Sequence, residues 1–411
     1  MPWFHGHDRH ERIAQALRRD SFDALLALTP ENAAYLTGQT SLIASLWRVP
    51  GLASAVVGPG DRRAVAVGDA EVESYPAERY SRFSFPLWIE RLDLRGSSEG
   101  DLRAQIAAAR ASAVVTRPAQ YDLDRVFDAV VAAVRAVALT ARRIGADLAT
   151  VPPSSLQRLL SRLSGVEVLD ASATFDDLRA VKDEDEIACL RLAAELTEVG
   201  IAAVRDAIRP GLTPLGVTAT YQIAIWNRAA GDERFAALRD VEGLAAVGLG
   251  NAPASSTVEP GRTVKLDMQV DVGGYHSDVG RTYALAPTPE QCAVYTALRS
   301  ALAAAEAIVQ PGARLCDVFT AGTRAMRDAG FGSYSRGHLG HSVGLAHNYE
   351  EPPFIAPDEE RPLVPGMVIS LELPYYLNGI GAFQLERMLL ITPDGHEALD
   401  RLPFELAVDR P

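Results

Sequence analysis

A chain of 411 residues with 48% apolar and 23% charged side chains has the balance of an ordinary globular protein, and its length suits two or three domains. Its 40 Lys and Arg against 53 Asp and Glu give a formal charge of −13, which argues against a nucleic-acid partner or an anionic membrane surface. No run reaches the ~20 apolar residues needed to span a bilayer, and the polar stretch from Met1 to Asp20 lacks the apolar segment of a secretory signal. Cys189, Cys292 and Cys316 stand far apart without C-x-x-C spacing, so they read as small core residues of a chain kept in a reducing, cytoplasmic compartment.

Asp23 to Leu28, Ala53 to Val57 and Ala64 to Val67 read as strands, with the turn Gly58-Pro59-Gly60-Asp61 before the third. Ala113 to Thr116 is a further short strand, and Leu123 to Leu139 an alanine-rich helix. Residues 1–174 are therefore expected to form a smaller α/β domain with little chemistry of its own, its boundary falling between Thr174 and Lys182. Residues 175–411 follow as a second domain. Its first helix shows Ile187, Leu190, Ala194, Thr197, Ile201, Val204 and Ile208 on one face, acids Asp183 to Glu186 at the start, and Arg209-Pro210-Gly211 at the end. Thr213-Pro214 reads as N-cap and first residue of a second helix. Beyond Gly261 come strands, then helices around Gln291 to Val309 and Leu315 to Ala329, then strands to the end. That order is α+β rather than a repeating βαβ.

Thr263 to Val272 alternates strictly, with Val264, Leu266, Met268, Val270 and Val272 on one face and Lys265, Asp267, Gln269 and Asp271 on the other. If Gly273-Gly274 is a two-residue turn, Asp271 faces His276, Gln269 faces Asp278 and Asp267 faces Gly280. Asp267 and Asp278 then share the polar face as a diagonal pair with Cα atoms roughly 7–8 Å apart. Such a pair can hold a cation and repels without one; a solvated hairpin face is the bland alternative. Asp271 and His276, nearer the turn, are read as a surface pair.

His341, Glu372 and Glu386 also sit in strand-like or glycine-flanked segments. With Asp267 and Asp278 they supply four carboxylates and one imidazole. Hard oxygen donors with a single nitrogen suit a pair of divalent ions, Mn first, with Co, Fe or Zn able to serve. Two ions sharing carboxylates, roughly 3.5–4 Å apart, activate water and clamp the group it attacks. A hydrolase is the expectation.

These segments together resemble the creatinase, prolidase, aminopeptidase P and methionine aminopeptidase superfamily. The resemblance rests on Asp267 and Asp278 eleven positions apart, on Asp278-Val279-Gly280-Arg281-Thr282, and on Gly340-His341-Ser342-Val343-Gly344-Leu345. It rests also on Pro365-Gly366-Met367-Val368-Ile369-Ser370-Leu371-Glu372-Leu373-Pro374, on Gly381-Ala382-Phe383-Gln384-Leu385-Glu386 and on the helix opening at Arg179 to Ile187. It covers about residues 180–400, with residues 1–174 similar more loosely to the creatinase-type N-terminal domain. The resemblance implies a pita-bread catalytic domain and a homodimer. It also implies two divalent ions, with Asp267 on one, His341 and Glu372 on the other, and Asp278 and Glu386 bridging. It makes a bridging hydroxide the nucleophile and Glu372 its proton acceptor.

The departures bear on substrate. Proline-specific members carry a histidine in the loop before the first Asp strand; residues 248–261 contain none, and Asn251 or Ser255 stands there instead. The arginine usual two before the last ligand is Gln384, the threonine usual two after the second Asp is Gly280, and the glycine usual two after the first is Gln269. The family's second histidine appears one residue early, as His347.

His347 is the candidate substrate contact, or else a loop histidine; His338 lines the pocket or supports a ligand, or is structural. His5, His7 and His10 read as a terminal tract rather than a metal site. Arg281 is a candidate partner for a ligand carboxylate. Tyr375 and Tyr376 are candidates for a pocket wall or core aromatics, Glu350-Glu351-Pro352-Pro353 for a rigid loop, and His396 for an exposed position. The leading function is a metal-dependent hydrolase of a C–N bond in a short peptide, resembling Xaa-Pro aminopeptidase or prolidase. Alternatives are a relative acting on a small non-peptide molecule, as creatinase-, ectoine-hydrolase- or sulfoniopropionate-lyase-like members do, and a non-catalytic binding module.

Overall fold

Apolar runs too short for helices become the strands of the first sheet. The computed structural model of the chain describes residues 9–87, 92–94, 101–112, 122–138, 140, 142–249, 256–346 and 350–408. It divides into a unit Arg9–Phe175 and a second unit beginning at Asp176.

The first unit contains α1 (Arg9–Arg19), β1 (Ala24–Ala27), α2 (Pro30–Thr37), α3 (Leu42–Trp47), β2 (Ala53–Val57), β3 (Arg63–Gly68) and β4 (Ser81–Phe85). It continues with α4 (Leu102–Ser112), α5 (Leu123–Val137), β5 (Arg143–Ala146), α6 (Pro153–Leu160) and β6 (Glu167–Asp170). The sheet order is β4-β3-β2-β1-β5-β6. Strands β1, β2 and β3 pair antiparallel, and the outer pairs are parallel. Every residue of β1 and β2 is buried, as expected of unbroken apolar runs in a sheet covered on both faces. The Asp122 carboxylate accepts from the backbone N–H of Asp124 and Arg125 to cap α5. The strand expected at Ala113 to Thr116 lies outside the described residues.

Asp147 ties this unit together. Its carboxylate accepts from Leu28 N (2.6 Å), Thr29 N (3.0 Å), Thr29 Oγ1 (2.5 Å) and Asn32 Nδ2 (2.8 Å), joining the β5 end to the β1–α2 turn. Burial pushes its pKa up to about 6, against the downward pull of these donors. The folded state thus holds this proton more tightly than an unfolded aspartate. Its contribution to stability is fully present below roughly pH 4 and is lost as pH rises through about 6, by up to about 3 kcal/mol. Asp147→Asn is expected to flatten that slope relative to wild type in urea unfolding between pH 4 and 7. An identical slope in both would assign the dependence to other groups.

α7 (Ser172–Ala180) leads into the second unit, where α8 (Glu184–Ala207) opens on the Asp183/Glu186 capping box. Thr213 caps α9 (Pro214–Ala229). Strands β7 (Leu238–Val247), β8 (Thr263–Val272), β9 (Tyr275–His276) and β10 (Val279–Ala284) form one sheet with order β10-β8-β7, β9 also pairing with β8. After α10 (Pro289–Glu306) and α11 (Leu315–Asp328) come β11 (Gly340–Ser342), β12 (Glu351–Phe354), β13 (Val368–Glu372), β14 (Tyr375–Leu377), β15 (Gly381–Phe383), β16 (Glu386–Thr392) and β17 (Gly395–Ala398). Here the order is β12-β11-β13-β16-β17, all antiparallel, with β14 and β15 paired separately. The Val294, Leu298, Ala301 and Leu302 face of α10 is buried in one apolar cluster with Leu371, Phe383 and Leu389. The whole is α+β.

Three expectations are corrected. Asp271 and His276 are buried rather than a surface pair: β8 is the central strand of its sheet, and the His276 N–H is bonded to Gly344 O. Asp271 instead closes the turn, accepting from Gly274 N at 2.6 Å. Cys292 is exposed on α10, and only Cys316 is buried. His396 is part-buried, its Nδ1 2.7 Å from Val309 O.

Candidate metal centre

The β8–β10 hairpin has the register expected from its turn: Asp271 opposes His276, and Asp267 opposes Gly280. Gly273 and Gly274 both adopt positive φ, 66° and 94°, which a two-residue turn of the right twist requires and which glycine tolerates. This leaves Asp278, between β9 and β10, two positions before Gly280, the cross-strand partner of Asp267. On the other sheet, Glu372 and Glu386 are direct cross-strand partners on β13 and β16, and His341 of β11 opposes Ser370. The Ser370 hydroxyl joins the two sheets. Its Oγ lies 2.8 Å from Glu386 Oε1 and 3.3 Å from Asp278 O.

Asp278, His341 and Glu386 are buried, and each offers a ligand atom within 4.8 Å of the others. His341 Nδ1 is 2.9 Å from Ser342 O. A carbonyl only accepts, so Nδ1 carries the proton and Nε2 presents a lone pair. That lone pair sits 3.5 Å from Asp278 Oδ2, and Asp278 Oδ1 is buried with no hydrogen-bond partner. Two acceptors face to face beside an orphaned carboxylate oxygen is the arrangement a cation resolves. Burial, reinforced by neighbouring carboxylates, pushes Asp278 and Glu386 well above the ordinary carboxylate range. The donor set fits divalent ions.

The surroundings differ from the sequence reading in several places. Arg281 does not meet a ligand carboxylate. It is fully buried and pairs with Asp400, while its Nη1 donates to the backbone carbonyls of Gly280 and Glu386. Gln384 lies over Gly280 and donates through Nε2 to Glu372 Oε2 (2.9 Å) and Glu386 Oε2 (3.1 Å). A Cβ at position 280 would stand 2.3 Å from Gln384 Cγ and 2.9 Å from Glu386 Cβ, a closeness of approach that glycine permits. His338 lies beside Glu372, its Nδ1 3.6 Å from Oε1, and its Nε2 is 3.2 Å from Glu350 Oε2. His338, Glu350 and Glu372 form a second group with ligand atoms within 4.8 Å of one another. Glu351 is buried beside Arg179 and bonded to the Ala346 N–H. Tyr375 packs edge-on against Tyr334 in the apolar cluster, while Tyr376 is exposed. His347, Asn251 and Ser255 lie outside the described residues.

Two cations were missed from sequence. Arg336 donates to Glu372 Oε1 at 2.9 Å, and nothing in its local sequence signals this. Lys265 sits 3.1 Å from Asp267 Oδ2, and the strand alternation that puts both on one face was a readable clue.

Residues 188–393 match metallopeptidase family M24, and residues 9–181 match the Creatinase/Prolidase N-terminal domain. By sequence the chain is 30% identical over 270 residues to "Probable dipeptidase PepE" of Mycobacterium bovis, spanning 64% of this chain and 71% of that one. Its fold is similar to the prolidase from Pyrococcus horikoshii OT3, with TM-score 0.73 and 20% identity over 97% of this chain and 99% of the other. The Xaa-Pro dipeptidase from Bacillus anthracis is similar too, with TM-score 0.75 and 20% identity over 97% and 98%. The fold is thus the creatinase-type N-terminal domain followed by a pita-bread domain. With a buried set of carboxylates and imidazole at its centre, the chain belongs to metallopeptidase family M24 and is a metal-dependent hydrolase.

Proposed function

We propose that the chain hydrolyses the C–N bond of a short peptide, in the manner of an Xaa-Pro aminopeptidase or prolidase, with two divalent ions held by residues of the 175–411 domain. The observation that carries this is the buried trio Asp278, His341 and Glu386 with its unpartnered Asp278 Oδ1. Asp267 would hold one ion, His341 and Glu372 the other, and Asp278 and Glu386 both. Mn is the first choice, with Co, Fe or Zn able to serve. When bound, such a pair supplies a hydroxide nucleophile near neutral pH and polarises the carbonyl under attack.

The chain's own side chains do the rest. Ser370 and Gln384 orient Glu386 from its two oxygens, and Gln384 and Arg336 do the same for Glu372. Glu372 is the proton acceptor. His338 stands between it and the exposed Glu350, placed to support its orientation. His347 is assigned to substrate contact. A cytoplasmic homodimer, each chain of it divided into domains 1–174 and 175–411, completes the proposal; among the described residues no helix is long and apolar enough to cross a membrane.

A second reading has its own support. Gln384 puts a neutral amide where an arginine would offer a substrate carboxylate a charge, which favours a small non-peptide amide or amidine. The deciding experiment loads the full chain with Mn or Co and compares turnover of Xaa-Pro dipeptides, other dipeptides, and a panel of cyclic amidines, ureas and N-acyl amino acids. Cleavage of Xaa-Pro peptides is the expected result. Metal uptake with no peptide cleavage, but turnover within the panel, would replace it with the second reading.

A further inference from the structure

A partly exposed arginine faces the proposed proton acceptor. Arg336 lies in the segment between α11 and β11. That segment is anchored two residues earlier, where buried Tyr334 packs edge-on against Tyr375 and its hydroxyl donates to Pro374 O at 3.3 Å. The guanidinium is fixed in turn: Nε donates to His338 O at 3.1 Å and Nη2 to Glu372 Oε1 at 2.9 Å. Its Nη1 has no hydrogen-bond partner among the described residues, and the side chain is 23% exposed.

The neighbouring donors are already engaged. Lys265 is buried between Asp267 and the Tyr376 ring, and Arg281 is fully buried on Asp400. Gln384 uses its Nε2 on both Glu372 and Glu386. An anionic group approaching these carboxylates is repelled unless a cation meets it. The open nitrogen of Arg336 is the donor placed to do so.

The distances suit one kind of anion. Hydrolysis of a peptide bond leaves an amine that must gain a proton, and Glu372, as proton acceptor, is placed to return it. In a dipeptide the terminal carboxylate is two bonds from that nitrogen, so its oxygens lie about 3–4 Å away. They come within reach of the guanidinium bonded to the same Glu372, and a planar fork of N–H donors matches a carboxylate. One further residue moves the charge out by roughly 3.5 Å and leaves a neutral amide in its place.

Resting on the peptidase reading above, we propose that Arg336 recognises the terminal carboxylate of a dipeptide substrate. It thereby selects dipeptides over longer or C-terminally blocked peptides.

The test compares Leu-Pro and Leu-Ala with their C-terminal amides on the full, Mn-loaded chain. Arg336 also holds Glu372, so its variants lower turnover of every substrate, and the informative quantity is the ratio of kcat/KM for free acid to amide. Wild type should favour the acid at least about tenfold, and Arg336→Gln should reduce that ratio about 10–100-fold, mainly through KM for the acid. Arg336→Lys keeps the charge and should keep most of the preference. Calorimetry gives a readout without turnover: Arg336→Gln should weaken binding of L-proline about 10–100-fold and leave L-prolinamide unchanged. Arg336→Met provides a second neutral variant if Arg336→Gln fails to fold by circular dichroism. A wild-type ratio near one, or an unchanged ratio in the neutral variants, overturns the role of Arg336 alone. A wild-type chain that cleaves neither acids nor amides overturns the peptidase reading beneath it.

Discussion

Asp278→Ala is expected to abolish retention of divalent metal and to lower kcat/KM by about a thousandfold or more, roughly 4 kcal/mol of lost transition-state stabilisation. Glu386→Ala should do the same. The reason lies in how the two side chains are used. Asp278 faces the His341 Nε2 lone pair and leaves Oδ1 unpartnered, and Glu386 is held from one oxygen by Ser370 and from the other by Gln384. Neither has a protein cation on it among the described contacts, unlike Asp267 and Glu372. The fold itself should survive. In the absence of metal, both carboxyls are buried among other acids and pushed well above their usual range, so losing one relieves repulsion. Melting measured in chelator should therefore show a midpoint equal to or above wild type. Metal content and turnover should fall together. Activity retained by either variant would place the centre elsewhere.

Arg281→Met is expected to act in the opposite way, on stability first. The guanidinium is completely buried, bonded to Asp400 and to Leu402 O, and stacked 4.0 Å over the Phe404 ring. It also donates to Gly280 O and Glu386 O, binding the hairpin strand β10 to the ligand strand β16. Removing it leaves the buried Asp400 carboxylate with Met388 N on its other oxygen and the Arg387 Nε only at 3.9 Å. Breaking such a pair costs about 3–5 kcal/mol. The urea midpoint should drop accordingly, and metal affinity with it, because Glu386 loses its backbone anchor. Arg281→Met combined with Asp400→Asn should recover a good part of the loss, since no uncompensated charge is left. Equal destabilisation by the single and double variants would show that packing of the arginine, rather than its charge, matters most.

The two variants separate chemistry from architecture, and the sequence disclosed these unequally. The proposed ligand set could be drawn up from sequence because each member sits in a short segment with its own strand or glycine signature. The eleven-residue spacing of Asp267 and Asp278 also follows from a two-glycine turn. Helix starts were equally plain for α8 and α9, where the acids Asp183 to Glu186 and the pair Thr213-Pro214 need only local sequence, whereas the Thr288/Gln291 capping box of α10 emerged in the structure.

Partner choice was not readable. Arg281 has many acids available and selects Asp400, 119 positions away. Lys265 looked like one more polar residue on a solvated strand face until Asp267 and the Tyr376 ring closed around it. Asp271 and His276 read as surface residues because alternation assigns sides to a strand without saying what covers each side. Nor did the sequence show that Gly280 and Gln384 lie against each other, with no room for a Cβ at position 280.

Local chemistry, written in spacing and turn residues, thus determined by itself the family, the metal-binding character and the order of the elements. The tertiary structure decided the electrostatics. Which carboxylate meets a lysine, which meets an arginine and which is left open for a cation depends on strands brought together from distant parts of the chain, and charge pairing in a buried site is settled by position in space rather than by order in sequence.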